Sequence, residues 1–169
     1  MCGIAGFFDG RGFAATNAAD IVGRMANTIA HRGPDDSGVW VDGAAGIALA
    51  HRRLSILDLS PAGHQPMTSA CGRYVMVFNG EIYNHLEIRK EVSSSCGHTN
   101  WRGRSDTETL LAAISGWGLD AALKKCVGMF ALALWDRRLR VLLLARDRLG
   151  EKPLYYGWVA GSLMFASEL

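Results

Sequence analysis

Much of what would mark a specialised class of protein is scarce or missing from this chain. Its four cysteines, Cys2, Cys71, Cys96 and Cys126, stand far apart with no C-x-x-C pair. That spacing argues against a zinc site and against a thioredoxin-like redox motif. A disulfide framework is not expected either: 169 residues bury a proper core without cross-links, and no export signal implies an oxidising compartment. The five histidines, His31, His51, His64, His85 and His98, form no H-x-x-x-H or similar ligand pair, so no metal is expected. No apolar run approaches the ~20 residues a membrane-spanning helix needs, and no basic flank leads into a long apolar signal segment. An excess of one charge is absent too. Eighteen Lys and Arg against sixteen Asp and Glu leave a net charge of +2, too small and too scattered for a nucleic-acid footprint. The expectation is one soluble domain over residues 1–169, cytoplasmic, binding neither membrane nor nucleic acid.

What remains is an ordinary globular composition, 49% hydrophobic and 20% charged, arranged as alternating strand-like and helix-like blocks. Residues 2–8 read as a buried strand. Ile21, Val22, Met25, Ala26 and Ile29 recur at helical spacing over 17–30, with Asn17 or Thr16 as the N-cap and Gly33 and Pro34 as the stop. Strands are predicted over 38–41, 46–51 and 74–78, with the long loop LDLSPAGHQPM before the last of these. Helices are predicted over 84–92, 106–115 and 120–126. The C-terminal third is strand-rich: MFALALW alternates Phe130, Leu132 and Leu134 against Ala131, Ala133 and Trp135, and RVLLLA, PLYYGW and SLMFA continue the pattern. Strands near both ends with helices between them suggest sheets covered by helices rather than repeated parallel βαβ units.

Four positions have the chemistry of a site, and each also has a plain structural explanation. Cys2 is a small residue at a chain terminus. If Met1 is trimmed, as a small second residue permits, it becomes a residue carrying both a thiol and a free α-amine. Asn79-Gly80 at a strand end suits a tight hairpin. Alternatively, a side-chain amide and a backbone N–H there could hold an oxyanion, each such donor being worth ~3 kcal/mol in a transition state. Arg53 is either a solvated arginine, like its neighbour Arg52, or the bidentate partner of a substrate carboxylate. Asp106, next to Ser105, is either an ordinary helix N-cap or the acceptor of an ammonium group. Together the four would suit a zwitterionic amino acid with a reactive carbonyl.

The segments MCGIAGF, HRGPD, AHRRLSILDLS with GHQPM, FNGEIYNH, SDTE, GMFALALWD and ARDRLGEKPLYYG, in this order, resemble the glutaminase domain of asparagine synthetase. That domain is a class II glutamine amidotransferase of the N-terminal-nucleophile hydrolase superfamily, and the likeness covers essentially the whole chain. It implies an α+β fold, a four-layer αββα sandwich with two mainly antiparallel sheets. It implies glutamine as substrate, Cys2 as the nucleophile and the α-amine freed by loss of Met1 as general base. Asn79 and Gly80 would hold the tetrahedral intermediate, on the way to a γ-glutamyl thioester. Arg53, rather than Arg52, would bind the α-carboxylate, and Asp106 the α-ammonium together with Gly80 or Glu81. Backbone groups around Leu54, Ile56 and Leu57 would line the pocket. HRGPDD is expected to shape a neighbouring loop, and His31, His51 and His64 to be structural.

The resemblance also marks a departure. The ATP-using domain of that family carries a glycine-rich S-G-G-x-D-S phosphate loop, and nothing similar occurs here. ATP and magnesium are therefore expected only in a synthetase domain or subunit that receives the ammonia, not in this chain, which is expected to be a domain fragment. Two other readings stand beside this one: a non-catalytic amino-acid-binding or partner-docking module, and the glutaminase part of a related amidotransferase with another acceptor.

Overall fold

The computed structural model describes residues 1–56, 58–97 and 100–169. The alternation in MFALALW proves to be the key to the architecture, because both of its faces are apolar. In strand β6 (Gly128–Asp136), Phe130, Leu132 and Leu134 enter one core while Ala131, Ala133 and Trp135 enter another. Strand β5 (Tyr74–Ile82) divides in the same way, Met76 and Phe78 to one side and Val75 and Val77 to the other. A sheet with two apolar faces must be covered on both to keep water off.

The first face is covered by three helices, α2 (His85–Cys96), α3 (Asp106–Trp117) and α4 (Leu119–Lys125), through residues such as Val92, Leu110, Ile114 and Ala122. The second packs against another sheet, which supplies Ile4, Ile47, Leu49 and Phe165. That sheet contains β1 (Gly3–Phe8), β2 (Asp36–Asp42), β3 (Ile47–Arg53), β8 (Tyr155–Val159) and β9 (Ser162–Ala166), in the order β2-β3-β1-β9-β8. The sheet of β5 and β6 is completed by β4 (Met67–Thr68) and β7 (Val141–Arg146), in the order β4-β5-β6-β7. Every pairing described is antiparallel. Outside the five-stranded sheet lies helix α1 (Ala15–Thr28), whose Ala18, Val22 and Ala26 sit on Phe7, Ala48 and Ala50. The layers therefore run α1, sheet, sheet, α2–α4, the expected αββα sandwich.

Strand β1 lies at the centre of its sheet and is packed on both sides by neighbours. A Cβ on Gly6 would lie 2.6 Å from the Ala48 carbonyl oxygen, and the Phe165 ring fills the rest of the space. The glycine spacing of MCGIAGF thus reflects close packing around a central strand.

Several expectations are corrected. Helix α1 starts at Ala15, with neither Thr16 nor Asn17 as a side-chain cap; Ala14 occupies that position and accepts the Ala18 N–H at 3.1 Å. Burying Ala18 extends the contact face by a turn, which outweighs the cap. The contact face is built mainly from alanines, which let the helix sit close, and Ile21 is left exposed. The helix ends at Thr28, and residues 30–32 form a 3-10 turn before Gly33. Strand β5 runs four residues past Phe78, so Asn79-Gly80 is not a hairpin turn: Asn79 pairs with Ala131 and Gly80 with Phe130. A Cβ on Gly80 would lie 2.6 Å from Phe130 Cβ, so close approach of β6, rather than a turn, requires the glycine.

Trp135 is fully buried between the sheets, its ring 5.6 Å from that of Phe8, and its indole N–H has no partner among the described residues. Trp135→Ala should therefore lower unfolding stability by about 3–5 kcal/mol, as large buried truncations do. Trp135→Phe, which keeps an aromatic ring and loses no hydrogen bond, should cost less than half of that. Urea titration of the two variants measures both.

Candidate functional site

The sandwich brings the start of β1 and the end of β3 against β5. Strand β1 pairs with β3 so that Gly3 faces Arg52, which leaves Cys2 beside the exit of β3. There the Leu54 N–H points at Cys2 Sγ at 3.4 Å, and the thiol lies 3.6 Å from the Leu54 carbonyl oxygen. From the facing sheet β5 contributes Asn79, Gly80 and Glu81, and the start of α3 contributes Asp106. These groups line a cavity of about 120 Å³ that also takes in Arg53, Leu54 and Ile56. Every site position expected from the sequence thus meets in one place, apart from Leu57, which lies outside the described residues.

Alternation along β3 separates the two arginines. Arg52 turns outward to α1, donating to the Ala26 carbonyl and the Asn27 side chain. Arg53 turns into the cavity, buried, and its guanidinium donates to the carbonyls of Ser60 (3.1 Å) and Asp58. Capping of α3 falls to Ser105, whose hydroxyl accepts the Glu108 N–H at 3.2 Å. Asp106 is thereby free to enter the pocket, where its carboxylate accepts the N–H groups of Ile82 (2.9 Å) and Thr107 (2.8 Å). Burial nevertheless pushes that carboxyl above the ordinary range.

Burial also pushes the Cys2 thiol up; the Leu54 N–H, the N-terminal charge and Arg53 offset only part of it, and Asp106 adds to it. The thiol is therefore held protonated at neutral pH and needs a base to become a nucleophile. None of the described histidines hydrogen-bonds it. His31 sits 3.2 Å from Glu168, His64 is 2.8 Å from Asp36, and His51 donates through Nε2 to the Phe78 carbonyl at 3.0 Å. Asn79 is 1% exposed, and its side-chain Nδ2 has no partner among the described residues. An amide donor in that state carries its full desolvation cost until an acceptor arrives.

Three residues of this region escaped sequence reasoning. Arg32, in the HRGPDD segment, donates through Nε to the Cys2 carbonyl at 3.0 Å and through Nη1 to Glu168 at 2.8 Å, anchoring the backbone of the thiol. Gln65 is buried against Phe78 and lines the cavity. Lys152 is buried at its mouth, with Nζ 3.1 Å from the Met1 sulfur. The loop carrying Lys152 is shaped by Asp147, whose carboxylate accepts backbone N–H groups of Phe130, Leu149, Glu151 and Lys152. Burial pushes the Asp147 carboxyl up, but these bonds outweigh it and hold it below the usual range. The motifs GHQPM and GEKPLYYG were the available signals for Gln65 and Lys152. Among the described residues no group of three or more His, Cys, Asp or Glu converges as a metal site would, and no helix is long and apolar enough to cross a membrane.

Comparison with known proteins gives a consistent picture. The family model described as "Glutamine amidotransferase domain" matches residues 1–169. The chain is 42% identical to a putative glutamine-hydrolyzing asparagine synthetase of Mycobacterium tuberculosis (strain ATCC 25618 / H37Rv), over 99% of this chain and 27% of that protein. It is 39% identical to glutamine-hydrolyzing asparagine synthetase 3 of Bacillus subtilis (strain 168), over 100% of this chain and 27% of the relative. The chain thus spans roughly a quarter of the length of these relatives. Among solved structures, the glutamine phosphoribosylpyrophosphate amidotransferase from B. subtilis, complexed with ADP and GMP, superposes with a TM-score of 0.77 at 18% identity. That match covers 98% of this chain and 42% of the other, and it establishes the likeness of fold.

His51 gives the region a pH signature. Burial is the main cause pushing its imidazole down from 6.5 to about 4; the Phe78 bond and Asp36 work against it, and Arg53 and His64 with it. Between those two values the unfolded chain binds a proton that the folded chain excludes, so stability rises with pH across that window and falls on acidification. The urea midpoint should be level between pH 6.5 and about 8, below the range where unfolded thiols ionise, drop towards pH 4, and drop less steeply in His51→Gln.

Proposed function

Because the chain belongs to the glutamine amidotransferase domain family, we propose that this cavity hydrolyses the side-chain amide of glutamine, releasing ammonia and leaving glutamate. The observation that carries the reading is the pairing of a thiol with an unpartnered buried amide donor in one small cavity. Met1 also lines that cavity; its removal would clear space there and leave Cys2 with a free α-amine. The ordinary values of an α-amine (~8) and a thiol (~8.5) lie close together; burial raises the Cys2 thiol and widens the gap, so the amine takes the thiol proton, directly or through a water, in step with attack on the substrate. Burial of the thiol makes such a base necessary.

The thiolate then attacks the amide carbon. The oxygen of the tetrahedral intermediate is received by Asn79 Nδ2 and the Gly80 N–H, and the amine returns its proton to the departing nitrogen. Ammonia leaves, and a γ-glutamyl thioester remains on Cys2. Water, deprotonated by the same amine, hydrolyses the thioester to glutamate and regenerates the thiol. Arg53 serves the substrate α-carboxylate, Asp106 with Gly80 or Glu81 the α-ammonium, and the backbone near Leu54 and Ile56 the body of the substrate. Holding both charged ends fixes the carboxamide over Cys2, and such positioning supplies a large share of the rate.

The relatives that contain this segment are several times longer. We assign this domain the role of ammonia source for an ATP-dependent synthetase part converting aspartate to asparagine, in the cytoplasm. ATP and magnesium belong to that part.

Glutamate release from glutamine, measured beside variants of this chain, tests the assignment. Cys2→Ala should abolish release, and Asn79→Ala should lower kcat by about 10²–10³ fold, as loss of one oxyanion donor does. Intact mass of the active material should show Met1 absent. Release by Cys2→Ala at the parental rate would sink the nucleophile, and full activity with Met1 retained would sink the base. Glutamine binding without turnover would instead identify a binding module.

A further inference from the structure

The β4–β5 ladder pairs Met67 with Met76 and Thr68 with Val75, and the same register carried back along the chain sets Gln65 opposite Phe78. The main-chain ladder stops short of that pair, because β4 begins only at Met67. The Gln65 side chain takes over where the main chain leaves off. Its Oε1 accepts the Phe78 N–H at 2.7 Å and its Nε2 donates to the Phe78 carbonyl at 3.3 Å, so one carboxamide reproduces both bonds of a ladder pair. The same Nε2 lies 3.5 Å from Thr107 Oγ1, next to Asp106, and His51 donates to the same Phe78 carbonyl from the other sheet. Gln65 is 4% exposed.

The Phe78 carbonyl belongs to the peptide group that carries the Asn79 N–H. Fixing its plane fixes the direction in which the Asn79 side chain leaves the strand. Asn79 Nδ2 itself has no hydrogen-bond partner among the described residues to set the direction of the amide. We propose that Gln65 is a positioning residue for the oxyanion amide, aiming Asn79 Nδ2 by gripping the Phe78–Asn79 peptide and tying it to the start of α3. The proposal rests on the reading of Cys2 and Asn79 given above. Because the oxyanion forms only in the transition state, a misaimed donor costs kcat, whereas glutamine binding through Arg53 and Asp106 is kept.

A double-mutant cycle separates action through Asn79 from general support of the fold. Gln65→Met keeps the length of the side chain and removes both bonds to Phe78 and the contact with Thr107; its kcat should fall about ten-fold, a fraction of the loss on deleting the donor, with KM within about two-fold of the parent. In the Asn79→Ala background the same change should cost less than about two-fold, because the group it aims is gone. Additive losses, or a rise in KM with kcat kept, would overturn the proposal. A second readout does not depend on turnover. The Asn79 side-chain NH₂ signal in ¹⁵N–¹H spectra, assigned by its disappearance in Asn79→Ala, should shift or broaden in Gln65→Met; an unmoved signal overturns the proposal. Should Gln65→Met not fold, Gln65→Glu replaces it, keeping the acceptor for the Phe78 N–H and losing the donor. A signal that moves in a parent without glutaminase activity would overturn the glutaminase reading and leave the positioning role standing.

Discussion

Water can be offered no face of strands β5 and β6, and the rest of the molecule follows from covering them. Three helices close one side and a second sheet closes the other. That second contact brings the ends of β1 and β3 against the middle of β5, and so sets Cys2 and Arg53 opposite Asn79 and Gly80. Neither sheet could hold the site alone: one has the thiol and a guanidinium, the other the amide donor and, through α3, a carboxylate. The catalytic geometry proposed here is therefore a by-product of hydrophobic burial between two layers, sharpened by local hydrogen bonds.

Those local bonds share a theme. The charged and reactive groups at the cavity are held largely by main-chain atoms. Leu54 brackets the thiol, Ile82 and Thr107 hold the Asp106 carboxylate, and the Asp58 and Ser60 carbonyls hold the Arg53 guanidinium. Asp147 organises its loop through backbone N–H groups in the same way. Main-chain dipoles fixed in strands and helix ends need little rearrangement when charge moves, which suits the proposed passage of charge from a thiolate to an oxyanion and back.

The core strands were legible in the sequence because their two-residue period is a local property. The MFALALW alternation maps onto two cores with no residue misplaced. Asn79-Gly80 shows where local reasoning fails. The pair reads as a turn by its own conformational preferences, yet a neighbouring strand at short range keeps both residues in the ladder. The start of α1 fails for a related reason, since burial of Ala18 overrides good capping residues. For Arg53 and Asp106 side-chain chemistry left a structural and a functional reading open, and motif resemblance chose between them; alternation along β3 explains why Arg53 and not Arg52 faces inward. Gln65 and Lys152 stayed hidden because their partners, Phe78 and Met1, are joined to them only by tertiary folding.

The order of the strands has a consequence for how the protein is made. The first strand lies between β3 and β9, and the Ile4 backbone is tied on both sides to Ser167. Arg32 holds the Cys2 carbonyl while being held in turn by Glu168. Cys2 thus waits for residues 162–168 before its surroundings are complete. Such long-range closure is slow to form, so the cavity proposed for catalysis is completed only after β9 has docked beside β1.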